Sequence, residues 1–137
     1  MGDILVATSG YSYDDWRGAF YPEELPKSEF LRYYALFFPF VELNFSYYAM
    51  PKASNLRSMA ARTPSSFRFS IKAPNSVTLT HHYAKQPAAA KDIANKPNPH
   101  FLSVDLLNRF LDTLAPMQAK LGPIMLEFEY LNKKRMP

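Results

Sequence analysis

Strand patterns and helix patterns alternate along this chain, and that alternation constrains the fold more than any other feature of the sequence. Runs rich in β-branched and aromatic residues predict four strands: Ile4–Thr8, Val41–Tyr48, Phe67–Ala73 and Ile124–Phe128. Apolar residues at helical spacing predict three helices between them: one from Ser28 to Pro39, one over Pro51–Thr63 and one that Ser103 caps. The resulting order, β-α-β-α-β-α-β, is typical of parallel strands joined by crossover helices.

The second strand pattern, VELNFSYY at Val41–Tyr48, separates apolar from polar side chains. Val41, Leu43 and Phe45 share one phase of a period-two pattern, whereas Glu42, Asn44 and Ser46 share the other. The other strand patterns also place polar groups on one face near the strand end, namely Thr8, Ser70, Lys72 and Glu127. An open doubly wound sheet is apolar on both faces, so one polar face favours a barrel interior. This pattern therefore points to a (β/α) barrel, although a complete barrel takes about 250 residues.

The composition sets the size and class of the protein. At 137 residues and 47% hydrophobic, the chain is expected to form a single domain over residues 1–137. Its net charge is +4, and its Lys and Arg residues are scattered along the sequence apart from Lys133-Lys134-Arg135. This distribution favours a solvated surface over the basic stripe of nucleic-acid binders. Cysteine is absent, so disulfides and thiolate metal sites are excluded. With no signal-peptide pattern and no apolar stretch near the roughly 18 residues of a membrane helix, we expect a soluble cytoplasmic protein without membrane association.

Three stretches of the chain together resemble the YecE-like family, also known as domain of unknown function seventy-two. They are ATSGYSYDDWRGAFYPEELP from Ala7, YYALFFPFVELNFSYYAMP from Tyr33, and FRFSIKAP followed by LTHH between Phe67 and His82. The resemblance implies a TIM barrel about twice this length, so the chain looks like the N-terminal half of one. It implies no reaction, because the family's activity is not established. The chain departs from the family pattern at four places: Ser46, Tyr47, Ala49 and Glu127–Tyr130.

Two charged side chains of opposite sign carry the first chemical hypothesis. Glu42 is a candidate general base, and Lys72 is a candidate electrostatic clamp or imine-forming amine. The alternative is a structural ion pair with Glu127 as its third member. His81 is a third catalytic candidate, as acid, base or metal ligand. A metal site needs at least three ligands. Glu42, His81 and Glu127 could supply them only if the loop after the third predicted strand, which carries His81, folds inward. No metal is therefore assigned.

Other polar and aromatic side chains are candidates for substrate binding. Asn44 and Glu127 could bind a polar ligand, and Tyr11, Trp16 and Tyr48 could stack on a sugar or base. The aromatic side chains could equally fill the barrel mouth as apolar packing. With only 4 glycines, the chain shows no phosphate-binding loop, and the sequence identifies no cofactor.

Two classes of function stay open at this point. One is an enzyme acting on a small polar substrate or a nucleic-acid fragment, and the other is a non-catalytic barrel that binds a metabolite or partner. We also expect the isolated chain to self-associate, because the first and last strands of a half-barrel would expose unpaired edges.

Overall fold

The computed structural model describes residues 2, 4–85 and 88–130. Its three strands are β1 (Phe40–Leu43), β2 (Arg68–Lys72) and β3 (Leu121–Met125). Its α-helices are α1 (Phe30–Tyr34), α2 (Phe45–Tyr48), α3 (Ala53–Ala61), α4 (Asn75–Thr78) and α5 (Val104–Thr113). Short 3-10 helices cover Asp14–Trp16, Lys27–Glu29, Ala88–Ile93 and Ala115–Lys120.

The three strands form one parallel sheet in the order β1-β2-β3. This confirms the predicted α/β class and the parallel strands, whereas the half-barrel stays a prediction. The basic run Lys133–Arg135 lies outside the described residues. None of the helices in the described ranges has the length and apolar character to cross a membrane, and the cytoplasmic location likewise stays a prediction.

The core is built around the central strand β2. Phe67, Phe69 and Ile71 alternate along the chain and are buried, as the period-two pattern predicts. Helices and the loop before α1 contribute further large buried side chains, among them Tyr21, Phe30, Leu31, Tyr34, Leu56, Phe110, Leu114 and Met117. Within this set the Tyr21 ring stacks on Phe30 with ring centroids 3.9 Å apart. The loop before α1, which carries Tyr21, is therefore part of the core.

The strand predicted over Val41–Tyr48 is too long, because β1 ends at Leu43. Asn44 already has helical backbone angles, and Phe45–Tyr48 form α2. The reason is a long-range hydrogen bond: the buried Ser46 hydroxyl donates to the carbonyl of Lys72 at 2.6 Å. The turn buries Ser46 and exposes Phe45, the reverse of the predicted phase.

The two outer predicted strands also differ from the structure. Ile4–Thr8 forms no regular strand, although the Glu42 amide donates to the Thr8 carbonyl and the Gly10 amide donates to the Glu42 carbonyl. The last strand is Leu121–Met125, three residues earlier than predicted. Its register against β2 shifts around Pro123, where the Ser70 hydroxyl donates to the Pro123 carbonyl at 3.0 Å. A proline lacks the amide hydrogen of a regular ladder, and such a shift accommodates it.

The three predicted helices correspond to α1, α3 and α5, whereas α2 and α4 were not predicted and the predicted helix ends are less accurate. Ser28 does not cap α1, which follows a 3-10 turn and ends at Tyr34. Ser103 does cap α5, because its hydroxyl accepts from the Leu106 amide at 3.2 Å. Between β2 and α5 the chain also forms the short helix α4 and the 3-10 helix Ala88–Ile93.

Candidate functional site

Three charged side chains meet where the parallel strands end. Glu42 comes from β1, Lys72 from the last position of β2, and Glu127 from two residues beyond β3; we call them the strand-end cluster. Lys72 Nζ lies 2.6 Å from Glu127 Oε2 and 3.9 Å from Glu42 Oε1. The hydrogen bond to the Glu127 carboxylate raises the pKa of the Lys72 ammonium, and the Glu42 charge adds to this against the opposing effect of burial. Lys72 is therefore held as a cation.

Ser9 and Asn44 extend this cluster on the Glu42 side. The Ser9 hydroxyl donates to Glu42 Oε1 at 3.2 Å and accepts from Asn44 Nδ2 at 2.5 Å. Because the single hydroxyl hydrogen goes to the carboxylate, the Asn44 amide must present its NH₂ to Ser9. This leaves Asn44 Oδ1 as a buried acceptor without a hydrogen-bond partner in the described part of the chain.

The backbone at Ser9 is placed by a tight turn. Gly10 has φ of +82°, and a Cβ at this position would lie 2.6 Å from the Tyr13 hydroxyl. The Tyr13 hydroxyl in turn donates to the Ser9 carbonyl. A side chain at Gly10 would therefore displace Tyr13 and, through the Ser9 carbonyl that Tyr13 binds, the Ser9 hydroxyl that contacts Glu42.

Three of the candidate residues share one cavity of about 290 Å³, which we call the Glu42 cavity. Tyr11, Glu42 and Asn44 line it, together with Gly10, Ser12, Tyr13, Leu43, Phe45 and Met59. Trp16 lies behind this wall, with its ring centroid 4.9 Å from Tyr13 and 5.7 Å from Phe20. The structure thus brings Tyr11 to Glu42 and places Trp16 among the aromatic side chains of the loop.

Tyr48 belongs to a different group of aromatic rings, on the Lys72 side. Its ring packs edge-on against Tyr47 and Tyr83, with centroids 5.2 Å and 5.8 Å away. Lys72 Nζ lies 5.5 Å from the centroid of the Tyr47 ring. Burial raises the pKa of the Tyr47 phenol, and the Glu127 carboxylate raises it further, so this hydroxyl stays a hydrogen-bond donor.

His81 lies apart from the strand-end cluster and is connected to a different carboxylate, Glu129, through the Thr80 hydroxyl. Its Nδ1 is 3.0 Å from the Thr80 hydroxyl, which donates to Glu129 Oε1 at 2.5 Å. His81 lines a cavity of about 350 Å³ with Leu79, His82, Tyr83, Ala84, Asn95 and Glu129; we call it the His81 cavity. Across the described ranges, no three His, Asp or Glu side chains are grouped so that they could hold a metal ion.

Chemically, the strand-end cluster offers an ammonium that is hydrogen-bonded to one carboxylate, Glu127, and a second carboxylate, Glu42, that lies beyond hydrogen-bond distance of it. Glu127 binds Lys72 closely, whereas Glu42 stands off at 3.9 Å and accepts a hydrogen bond from Ser9. Glu42 also lines a cavity, and its side chain is 23% exposed. A carboxylate in this position can accept a proton from a ligand, while the neighbouring ammonium stabilises negative charge.

Sequence reasoning missed four residues of this region. Ser9 and Thr80 both lie within the stretches that carry the family resemblance, but their hydroxyls were not assigned a partner. Glu129 shares the period-two phase of Glu127, which is the one local signal that could have found it. Tyr83 gave no pattern, because its contacts with Tyr47 and Tyr48 depend on a loop returning to the strand ends.

Comparison with known proteins decides the family. The family model described as "Protein of unknown function DUF72" matches residues 5–135 of this chain. The chain belongs to the DUF72 family. The resemblance inferred from the three sequence stretches is thereby confirmed.

Two DUF72 crystal structures are similar in fold. A DUF72 family protein from Thermotoga maritima superposes with a TM-score of 0.67 at 31% identity, over 96% of this chain and 47% of that one. A DUF72 family protein from Enterococcus faecalis superposes with a TM-score of 0.59 at 21% identity, over 93% of this chain and 41% of that one. The second comparison supports the fold alone.

A curated relative is also longer than this chain. The UPF0759 protein YunF of Bacillus subtilis is 30% identical over 89 residues, which are 65% of this chain and 30% of that protein. The chain therefore spans about half or less of the length of the relatives it matches.

Proposed function

We propose that this DUF72 chain forms the N-terminal part of a (β/α) barrel whose strand ends bind and convert a small polar molecule, with Glu42 as the general base. The parallel sheet and the superposition on 47% of a longer family member support the barrel. In barrels of this kind the site lies at the carboxyl ends of the strands. Glu42, Lys72 and Glu127 lie at that edge of the sheet.

The observation that carries the proposal is the asymmetry of the two carboxylates around Lys72. The 2.6 Å contact engages Glu127, whereas Glu42 at 3.9 Å keeps oxygen lone pairs for a ligand in the Glu42 cavity. Lys72 then acts as a fixed positive charge. The imine-forming role is disfavoured, because the raised pKa keeps the amine protonated and an imine requires the neutral form.

The charges also favour one class of substrate. Two carboxylates surround one ammonium in the strand-end cluster, so the cluster carries a net negative charge when all three groups are ionised. Phosphates prefer clustered Lys and Arg. We therefore favour a neutral or cationic polar molecule over the nucleic-acid fragment that the sequence left open.

A non-catalytic binding barrel is the second candidate, and the Lys72–Glu127 contact favours it. A paired ammonium at a strand end can serve to hold the sheet edges together around a bound metabolite without taking part in a reaction. The two candidates differ in one respect, which is whether the bound molecule is changed.

The test is a ligand screen of the full chain by NMR with amines, amino sugars and polyols, first for binding and then for turnover of each binder. Glu42→Gln keeps the shape of the side chain and removes its basicity. We expect it to retain the fold and lower turnover about a hundredfold or more. Glu24→Gln, on an exposed loop, is the matched control. Binding without turnover would select the second candidate, and turnover unchanged in Glu42→Gln would exclude the base role.

A further inference from the structure

A threonine hydroxyl lies between a carboxylate and an imidazole in the loop that follows β2. The Thr80 backbone amide donates to Glu129 Oε1 at 2.7 Å, and the Thr80 hydroxyl donates to the same oxygen. The hydroxyl also contacts His81 Nδ1 at 3.0 Å. Glu129 is 49 residues from Thr80 in sequence, so the contact joins the loop to the chain beyond β3.

The donor and acceptor roles in this arrangement follow from the number of hydrogens. An amide nitrogen can only donate, so Glu129 Oε1 accepts from Thr80. The Thr80 hydroxyl has one hydrogen, which points to the same Oε1. The hydroxyl must then accept from His81, and this requires the hydrogen of the neutral imidazole to be on Nδ1. Nε2 is left with its lone pair.

The geometry points to Thr80 and Glu129 as positioning residues that hold His81 in the Nδ1–H tautomer, with Nε2 as the proton acceptor for a ligand in the His81 cavity. This inference deepens the proposed function by adding a second proton acceptor beside Glu42, and it rests on that proposal for the class of substrate. Partners of this kind fix the ring orientation and the basic nitrogen of a histidine. Neither Thr80 nor Glu129 was recognised as a site residue from the sequence.

Aromatic contacts connect the His81 cavity to the strand-end cluster. Tyr83 lines the cavity and packs against Tyr47, with ring centroids 6.3 Å apart. Tyr47 in turn lies beside Lys72. A small polar molecule with an O–H or N–H group would donate to Nε2 on this side of the tyrosines.

The proton transfer itself is balanced within these residues. The O–H or N–H bond of the ligand breaks, its electron pair stays on the ligand, and the proton forms the Nε2–H bond. The resulting imidazolium keeps its Nδ1–H on the Thr80 hydroxyl, which remains bonded to the Glu129 carboxylate. The negative charge of Glu129 thereby opposes the new positive charge through one intervening hydroxyl.

The test reads the tautomer directly from the nitrogen shifts of the imidazole ring. The full chain is labelled with ¹⁵N and studied by long-range ¹H–¹⁵N correlation near pH 8, where an ordinary imidazole is neutral. His81→Asn assigns the signals. We expect Nδ1 to show the shift of a protonated ring nitrogen and Nε2 that of an unprotonated one. An Nε2–H tautomer in the unmodified chain would overturn the inference.

Matched variants separate positioning from a structural effect. Thr80→Val removes the hydroxyl at nearly constant shape, and we expect loss of the Nδ1–H pattern, whereas Thr80→Ser keeps the hydroxyl and the pattern. Thr113→Val, on α5, serves as the control. A pattern unchanged in Thr80→Val would overturn the inference. If Thr80→Val does not fold, the spectra of the unmodified chain and of Thr80→Ser decide by themselves.

The two proposals fail in distinguishable ways. An Nδ1–H tautomer together with unchanged turnover in Glu42→Gln would leave the positioning of His81 intact and exclude Glu42 as the base. An Nε2–H tautomer together with lost turnover in Glu42→Gln would do the reverse.

Discussion

Lys72 and Glu127, 55 residues apart in the chain, form a 2.6 Å hydrogen bond between the ends of β2 and β3. The Lys72 side chain is 15% exposed and that of Glu127 is 53% exposed. The pair therefore lies at the surface of the sheet edge with its cation partly shielded. Several properties of the site depend on this contact.

Removing the carboxylate of this pair should change the pH dependence of stability. Lys72 has a folded-state pKa raised above its unfolded value, so its contribution is present below the unfolded pKa of 10.5 and is lost as pH rises through the folded pKa. We expect Glu127→Gln to cost up to about 1 kcal/mol of unfolding free energy near neutral pH, and less in alkali. Urea unfolding near neutral pH and in alkali, with Glu24→Gln as the control, measures this difference in unfolding free energy. The same variant should lower the pKa of Lys72, and an unchanged Lys72 titration would contradict the assignment.

Ser46 should be more important for stability than an ordinary serine. Its hydroxyl is buried and donates to the Lys72 carbonyl at 2.6 Å, which joins α2 to β2. Ser46→Ala leaves that carbonyl without this donor, and we expect a loss of about 1–3 kcal/mol in unfolding free energy. Ser66→Ala, at an exposed position, should cost much less. Equal values for the two variants would show that the hydroxyl does not hold the turn.

Lys120 should stabilise the end of α3 through its ammonium. Nζ donates to the Ala60 carbonyl in the last turn of α3 at 2.6 Å and to the Thr63 carbonyl, two residues beyond the helix, at 2.5 Å. Lys120→Met keeps most of the apolar stem and removes the donor, so we expect a loss of about 1.5–3 kcal/mol, the range for hydrogen bonds to charged groups. Chemical unfolding with Lys52→Met, at an exposed position, provides the comparison. A loss no larger than that of Lys52→Met would contradict the capping role.

The isolated 137-residue chain should associate or unfold early on heating. Ile4, Leu5 and Val6 are 91%, 60% and 68% exposed, and β3 forms an edge of the described sheet, followed by the exposed Leu126 and Phe128. Apolar side chains beside an open strand edge favour pairing with another chain. Size-exclusion chromatography and thermal unfolding test this. A monodisperse monomer with a sharp cooperative transition would contradict it.

Some features of this protein were determined by local sequence alone. The alternation of Phe67, Phe69 and Ile71 specifies the buried face of β2, because side chains of a strand point to opposite sides in turn. Ser103 specifies the start of α5, because its hydroxyl and the amide it accepts from are three residues apart. Each of these depends on neighbours within a few residues, which the sequence displays directly.

Other features were decided only when distant segments came together. The turn from β1 into α2 depends on the Lys72 carbonyl, 26 residues away, and the tautomer inferred for His81 depends on Glu129 beyond β3. The pairing of β3 with β2 shifts its register around Pro123, and this shift is seen only when the two strands are placed side by side. Periodicity states which face a residue occupies but not which residue stands opposite it. Hydrogen bonds and ion pairs act over about 3 to 4 Å, so the partners of Glu42, Thr80 and Lys72 exist only in the tertiary structure.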